Sequence, residues 1–146
     1  MKCLAPILAI GLSLFALGLP ALAEDRCTWL NAATATGVLG GEVHMTVTPG
    51  TCEFVRQETS LRIEVGATSA PHAQCGSGAE PLKAIGNEAQ ACTYQGKPGW
   101  VAEQVVGRVR DQAFLVRIST KDQSVMPKIL REKARKVAEQ VAGVLF

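Results

Sequence analysis

The sequence predicts an α+β fold: an antiparallel sheet of about five strands, with a short N-terminal helix and a long C-terminal amphipathic helix packed on one face. Three observations support this fold class. Apolar and polar residues alternate in several segments bounded by turn residues, as in half-buried strands. The last twenty residues instead repeat apolar side chains every three or four positions. Four cysteines follow an export signal, which predicts a disulfide-stabilised domain.

The first 23 residues are typical of a secretory signal peptide. Lys2 precedes an apolar segment over residues 4–19, and Ala21-Leu22-Ala23 matches the small-x-small pattern of a cleavage site. A retained membrane anchor is the alternative, but the apolar segment is short and no basic stop-transfer cluster follows it. Cys27 has no lipobox before it, so we expect a soluble product rather than a lipoprotein.

Cleavage after Ala23 would leave one domain, residues 24–146, in the periplasm or outside the cell; the type of cell envelope stays open. Apolar residues make up 47% of the whole chain, which argues against disorder. The formal net charge of +2 argues against a nucleic-acid binder. The 123 residues that remain are enough for one hydrophobic core.

The four cysteines after the signal permit three disulfide connectivities. We favour Cys27–Cys52 and Cys75–Cys92, because the predicted register of the strands points Cys52 inward, where the first helix must dock. The alternative is a zinc site built from His72, Cys75 and Cys92. It lacks a second paired motif, and an oxidising compartment favours disulfides over thiolate ligands. We therefore expect no metal and no cofactor.

The first helix is expected to start at Asn31, whose side chain suits an N-cap, and to run through the small residues 32–36. Gly40-Gly41 should end it, because glycine adopts the left-handed conformation common after a helix.

Three strands should follow, joined by a turn at Pro49-Gly50 and a two-residue turn at Glu58-Thr59. These turns predict the pairs Val47 with Cys52, Met45 with Phe54, Phe54 with Ile63 and Cys52 with Val65. All six side chains then share one buried face, which supports the assignment because burial is what specifies register.

A long loop, residues 66–81, comes next and is rich in Gly, Ala, Ser and Pro. Loops of this length are either functional or poorly ordered. Ala91–Tyr94 suggests a short strand, which Gly96-Lys97-Pro98-Gly99 ends.

The clearest hairpin has either a two-residue turn at Asp111-Gln112 or a four-residue loop at 110–113, and both alternatives give the same register. The predicted pairs are Val109 with Phe114, Gly107 with Val116 and Val105 with Ile118. The opposite face then carries Arg108, Arg110 and Arg117, a candidate anion-binding patch. Ordinary solvation of the sheet surface is the alternative interpretation.

The last helix should begin near Pro127, with Asp122 or Ser124 as its cap. Its apolar stripe comprises Leu130, Ala134, Val137, Val141 and either Val144 or Leu145. Residues 101–146 hold 9 basic and 5 acidic side chains, against 5 and 8 in residues 24–100. This asymmetry would allow weak contact with an anionic membrane surface, but we favour two ordinary solvated surfaces, because charge runs on amphipathic helices are common.

No catalytic constellation stands out in the sequence. We therefore expect a non-catalytic domain that binds an envelope protein, a glycan or a small ligand; the oligomeric state stays open. One alternative is a secreted inhibitor that presents the loop at 66–81 to a target enzyme. A less favoured alternative is a small hydrolase, for which His72 and the loop near Cys75 are the candidates.

Three short motifs add a resemblance: Cys27-Thr28-Trp29-Leu30, Cys52-Glu53-Phe54 and Ile85-Gly86-Asn87-Glu88-Ala89. With the late hairpin and the terminal helix, they resemble a family of small bacterial exported proteins and lipoproteins of unknown function. That family is similar to the extracytoplasmic sensor domain of mycobacterial serine/threonine kinases. The chain departs from it in lacking a lipobox and in having Asn87 where aspartate is expected. The resemblance implies an α+β domain and a Cys27–Cys52 bridge, and it implies no activity.

Overall fold

The computed structural model describes residues 26–67, 75 and 78–146. The predicted signal peptide and most of the loop at 66–81, including His72, lie outside the described residues. The fold class is confirmed: one antiparallel sheet carries a short helix and a long C-terminal helix. In chain order the elements are α1 (Ala32–Leu39), β1 (His44–Thr48), β2 (Thr51–Arg56), β3 (Thr59–Ala67), β4 (Glu80–Leu82), β5 (Glu88–Thr93), β6 (Val101–Val109), β7 (Gln112–Thr120) and α2 (Pro127–Leu145).

The sheet has seven strands in the order β1-β2-β3-β7-β6-β5-β4, rather than the five that the sequence predicted. Strand β4 comes from a segment in which the sequence indicated no strand. Strand β5 begins at Glu88, earlier than expected, and β4 pairs with it at the edge of the sheet. Pro81 lies in β4, and an edge strand tolerates proline because its outer side needs no backbone donor.

Both helices pack on the same face of the sheet, called the inner face, and together they form one core. Fully buried side chains of this face include Phe54, Ile63, Val105 and Val116. Helix α2 adds the residues of its apolar stripe, which are Leu130, Ala134, Val137, Ala138, Val141 and Ala142. Leu145 packs against this core and Val144 is exposed, so Leu145 ends the stripe.

The boundaries of α1 agree with the prediction. The Asn31 side chain accepts a hydrogen bond from the backbone N–H of Thr34, at 2.8 Å. Gly40 adopts a left-handed conformation, with φ at 81°, and its N–H bonds to Thr36. Helix α2 differs in its cap: Met126 occupies the N-cap without a side-chain hydrogen bond, and Pro127 lies in the first turn. Asp122 instead accepts hydrogen bonds from Ser124.

Both predicted disulfides are present, Cys27–Cys52 and Cys75–Cys92. The first joins the segment before α1 to β2, and its Cys52 end is completely buried on the inner face. The second joins Cys75 to β5. In the described part of the chain, no helix combines the length and the apolar character that crossing a membrane requires.

Two of the three predicted hairpin registers are wrong by two residues. The β1–β2 register is confirmed, with Val47 opposite Cys52. In the β2–β3 hairpin, however, Phe54 faces Leu61 and Cys52 faces Ile63. In the late hairpin the observed pairs are Val109 with Gln112, Gly107 with Phe114 and Val105 with Val116.

The turns explain the difference. They lie at Gln57-Glu58 and Arg110-Asp111, and the first residue of each has a positive φ, 52° and 55° respectively. Glycine is usual at such a position, so a search for turn residues misses these two. The Arg110 turn is also held from outside the hairpin, because the Asn87 side chain accepts a hydrogen bond from the Arg110 N–H.

The corrected register places Gly107 directly under the ring of Phe114. A Cβ at residue 107 would lie 2.6 Å from Phe114 Cζ and 2.8 Å from the backbone oxygen of Glu88. We expect Gly107→Ala to lower the free energy of unfolding by about 2 kcal/mol, because neither the ring nor the backbone can move away cheaply. Urea unfolding with the disulfides intact measures the change.

Gly143→Ala is the matched control, since a Cβ at that position of α2 meets nothing within 4 Å. We expect it to stabilise the chain by up to about 1 kcal/mol, through better helix propensity. Equal effects of the two substitutions would show that the ring of Phe114 does not cover Gly107.

Candidate functional site

The sheet face opposite the helices, called the outer face, contains a groove of about 390 Å³. Its floor is made by small side chains that lie side by side on the three central strands. Ser60 of β3 pairs with Ser119 of β7, which pairs with Ala102 of β6. Because larger polar and aromatic side chains surround these three residues, the otherwise flat face of the sheet becomes concave there.

One wall of the groove is a row of polar side chains across adjacent strands. Two residues along from the floor, Glu53 pairs with Arg62, Arg62 with Arg117, and Arg117 with Gln104. Arg62 and Arg117 are therefore directly opposite each other, a position in which like charges destabilise a sheet.

Arg62 has carboxylate partners that reduce this repulsion. Its Nε donates to Glu64 at 2.6 Å, and its Nη1 lies 4.0 Å from Glu53. These three side chains are each between a third and two-fifths exposed, so the energy of the pairs is modest. Their main effect on the groove is to balance the charge of Arg62.

Arg117 is held differently, by neutral groups. Its Nε and Nη2 donate to Oε1 of Gln104 at 3.0 and 2.9 Å, and the guanidinium stacks 3.4 Å from the centroid of the Tyr94 ring. No described carboxylate lies within ion-pair distance of it. Burial of the guanidinium lowers the pKa of Arg117, and the charge of Arg62 acts in the same direction, whereas Tyr94 and Glu64 oppose it.

Gln104 is the residue that orients Arg117. It is completely buried, and its Nε2 lies 3.5 Å from Sγ of Cys92, to which it donates. The Cys75–Cys92 disulfide therefore lies directly behind the amide that holds the guanidinium. The Gln104 amide is fixed through its nitrogen by Cys92 and through its oxygen by Arg117, so it holds the guanidinium in one orientation. A pre-oriented guanidinium lowers the entropic cost of binding a ligand.

The loop after β5 supplies the other wall. Trp100 is half-buried and lines the groove together with Lys97, and the Trp100 N–H donates to the Lys97 carbonyl at 3.1 Å. Lys121 lies over the Trp100 ring, with Nζ 5.4 Å from its centroid. Tyr94 and Trp100 thus flank one cavity, although they are too sparse in the sequence to have suggested a stacking surface.

The structure separates the three arginines of the predicted anion-binding patch. Arg117 lies in the groove, whereas Arg108 lies further along the outer face and pairs with Glu88 of β5 at 2.9 Å. Arg110 lies in the β6–β7 turn. The separation follows from the corrected register, which places Arg108 opposite Ala113 and Arg117 opposite Gln104. Anion binding by Arg108 and Arg110 remains a prediction.

The other candidates from the sequence lie elsewhere. Cys75 and Cys92 form a disulfide, so the zinc site involving them is contradicted. Among the described residues, no three histidine, cysteine, aspartate or glutamate side chains are grouped so as to hold a metal ion. The hydrolase hypothesis involving His72, and the inhibitor hypothesis involving the loop at 66–81, lie largely outside the described residues.

Sequence reasoning missed Arg62, Gln104, Tyr94 and Trp100 as members of a site. A signal for Arg62 was present, since Glu53, Arg62 and Glu64 all alternate away from the buried face. Nothing local indicates Gln104, because its role depends on the pairing of β6 with both β5 and β7.

No family model, curated protein or solved structure matches this chain.

Proposed function

We propose that the chain is an exported, non-catalytic domain that binds a ligand or an envelope partner in the groove on the outer face of its sheet. The single observation that carries this proposal is the state of Arg117. Its side chain is half-buried, is oriented by Gln104 and Tyr94, and makes no ion pair with a described carboxylate. Removing a charge from water costs free energy, and Glu64, which attracts Arg117, lies beyond ion-pair distance, so a ligand with a negative group would recover part of that cost.

The surroundings of Arg117 favour a binding role over a purely structural one. A structural arginine on a sheet face is satisfied by Glu, as Arg108 is by Glu88 and Arg62 by Glu64. Arg117 instead lies beside a concave floor and two aromatic rings, which offer contact area for the uncharged part of a ligand.

The export part of the proposal rests on the signal-like first 23 residues and on the two disulfides. Disulfides persist in oxidising compartments and are rare in the reducing cytosol. The sequence resemblance to small exported proteins agrees with this location, and like the location it is a proposal.

The test is native mass spectrometry of the full chain, produced with its own leader and recovered from the compartment to which it is exported. Ser119→Trp fills the floor of the groove, and Gln90→Trp is the matched control. Gln90 is exposed on β5, away from the groove lining. Both variants are first checked for cooperative thermal unfolding.

We expect a bound mass on the wild type and on Gln90→Trp, and its loss from Ser119→Trp. A mass that persists on Ser119→Trp would place the binding elsewhere. A wild-type chain recovered without any bound mass would overturn the proposal.

A further inference from the structure

We infer that the groove takes a ligand carrying a single carboxylate, and that this carboxylate binds the free end of the Arg117 guanidinium. The inference rests on the proposed function and adds the chemical class of the ligand. Three observations support it: the N–H donors of Arg117 that have no described partner, the net charge of the side chains lining the groove, and the aromatic side chains in its wall.

The hydrogen bonds already made determine which edge of Arg117 is free. A guanidinium has five N–H donors in one plane. Nε and one N–H of Nη2 are taken by the single oxygen Oε1 of Gln104. The remaining donors are the second N–H of Nη2 and both of Nη1, and none of them has a described partner. One N–H of Nη1 and one of Nη2 point the same way and form a fork that matches the two oxygens of a carboxylate.

The charge of the groove selects a monoanion. Its charged lining side chains are three cations and two carboxylates, a formal net charge of +1, namely Arg62, Lys97, Arg117, Glu53 and Glu64. One carboxylate would bring this balance to zero. A phosphate, which carries close to two charges at neutral pH, would leave an excess negative charge beside Glu53 and Glu64 and would be repelled by them.

The rest of the ligand is expected to contact the floor and the aromatic wall. The hydroxyls of Ser60 and Ser119 can each donate and accept hydrogen bonds, and the Trp100 ring offers an apolar surface. Two kinds of molecule combine one carboxylate with hydroxyl or amide groups: an acidic sugar and the C-terminal end of a peptide. They share the chemistry that Arg117 recognises, and the experiment separates them.

The experiment uses the fluorescence of Trp100. The chain has two tryptophans, so Trp29→Phe leaves Trp100, in the groove wall, as the only tryptophan, and excitation at a wavelength that tyrosine does not absorb isolates its emission. Four matched probes are titrated into this variant: glucuronate and glucose, then N-acetyl-Ala-Ala as the free acid and as the amide. Glucose 6-phosphate is the fifth probe and tests the preference for a monoanion.

We expect a saturable change with glucuronate or with the dipeptide acid, and binding at least about tenfold weaker for the uncharged counterpart and for glucose 6-phosphate. Binding of glucuronate would identify the ligand as an acidic sugar, and binding of the dipeptide acid would identify it as a peptide C-terminus. Equal binding of acid and uncharged probe, tighter binding of the phosphate, or saturation by none of the acids would overturn the inference.

Arg117→Gln is then expected to weaken the binding of the acid by about tenfold or more, since it removes the charged fork. Arg117→Lys keeps the charge and should still lose affinity, because an ammonium cannot form a planar fork. Arg108→Gln, on the same face but outside the groove lining, should leave the affinity unchanged.

The two proposals fail in different ways. If native mass spectrometry shows a bound mass that Ser119→Trp removes but Arg117→Gln retains, the groove is a binding site and the carboxylate inference is wrong. If the wild type carries no bound mass, the proposed function is wrong, and the carboxylate inference that rests on it is wrong with it.

Discussion

Replacing Arg131 with glutamine should lower the free energy of unfolding by about 3 kcal/mol. Arg131 of α2 donates from Nε to Glu103 of β6 at 2.9 Å, and Glu103 is completely buried on the inner face. The other carboxylate oxygen of Glu103 accepts from the hydroxyl of Thr93 at 2.8 Å. The hydrogen bond to Glu103 is also the main reason why the pKa of Arg131 is raised.

Removing Arg131 would leave a buried carboxylate without its cation, the case in which breaking an ion pair costs most. Breaking a fully buried pair costs about 3–5 kcal/mol, and we expect the lower value because the Arg131 side chain is 32% exposed. Equilibrium urea unfolding with intact disulfides measures the loss.

Arg135→Gln is the matched control, one turn further along α2. Arg135 pairs with Glu139 at 3.3 Å, and both side chains are nearly half exposed, so the expected loss is below about 0.5 kcal/mol. Combining Arg131→Gln with Glu103→Gln should recover part of the stability, because the only carboxylate left without Arg131 would be the exposed Glu80. If Arg131→Gln cost no more than Arg135→Gln, the pair would not anchor α2 to the sheet.

The second large effect is expected from removing the Cys27–Cys52 disulfide. The double substitution to alanine opens a loop closed by cysteines 25 positions apart, and the chain-entropy model predicts a loss of about 3 kcal/mol. We also expect the loss of stability to be concentrated in α1 and the segment before it. The bridge attaches the segment before α1 to a buried position of β2, so α1 would lose its covalent hold on the core.

Hydrogen exchange distinguishes this bridge from the other one. We expect the amides of α1 to exchange faster in the Cys27→Ala/Cys52→Ala variant and to remain protected in Cys75→Ala/Cys92→Ala, whose cysteines lie on the opposite side of the fold. If α1 exchanged equally in the two variants, tertiary packing alone would be holding this helix in place.

Much of the fold could be predicted because the pattern of burial along a strand is local. The face to which each strand side chain points was correct even where the register was wrong, since a shift of two residues preserves the face. The turns at Gln57 and Arg110 could not be found in this way. Their positive φ values fall on residues without a turn signature, and a contact from Asn87 helps to hold the second.

The site was harder to predict from the sequence than the fold, because it depends on the order of the strands in the sheet. Arg62 and Arg117 are 55 positions apart and meet only because β3 pairs with β7. Tyr94 and Trp100 reach the same groove from the loop between β5 and β6. The three arginines of the predicted patch lie apart because the corrected β6–β7 register places Arg108 opposite Ala113 and Arg117 opposite Gln104.

The central claim is that the groove around Arg117 is where this domain binds its ligand. The most direct measurement is a map of backbone amide chemical shifts while the labelled protein is titrated with the small-molecule fraction of its own compartment. We predict saturable shifts that cluster at Ser60, Arg62, Trp100, Arg117 and Ser119. Shifts that cluster on the exposed face of α2 or along β1, or no saturable shifts at all, would contradict it.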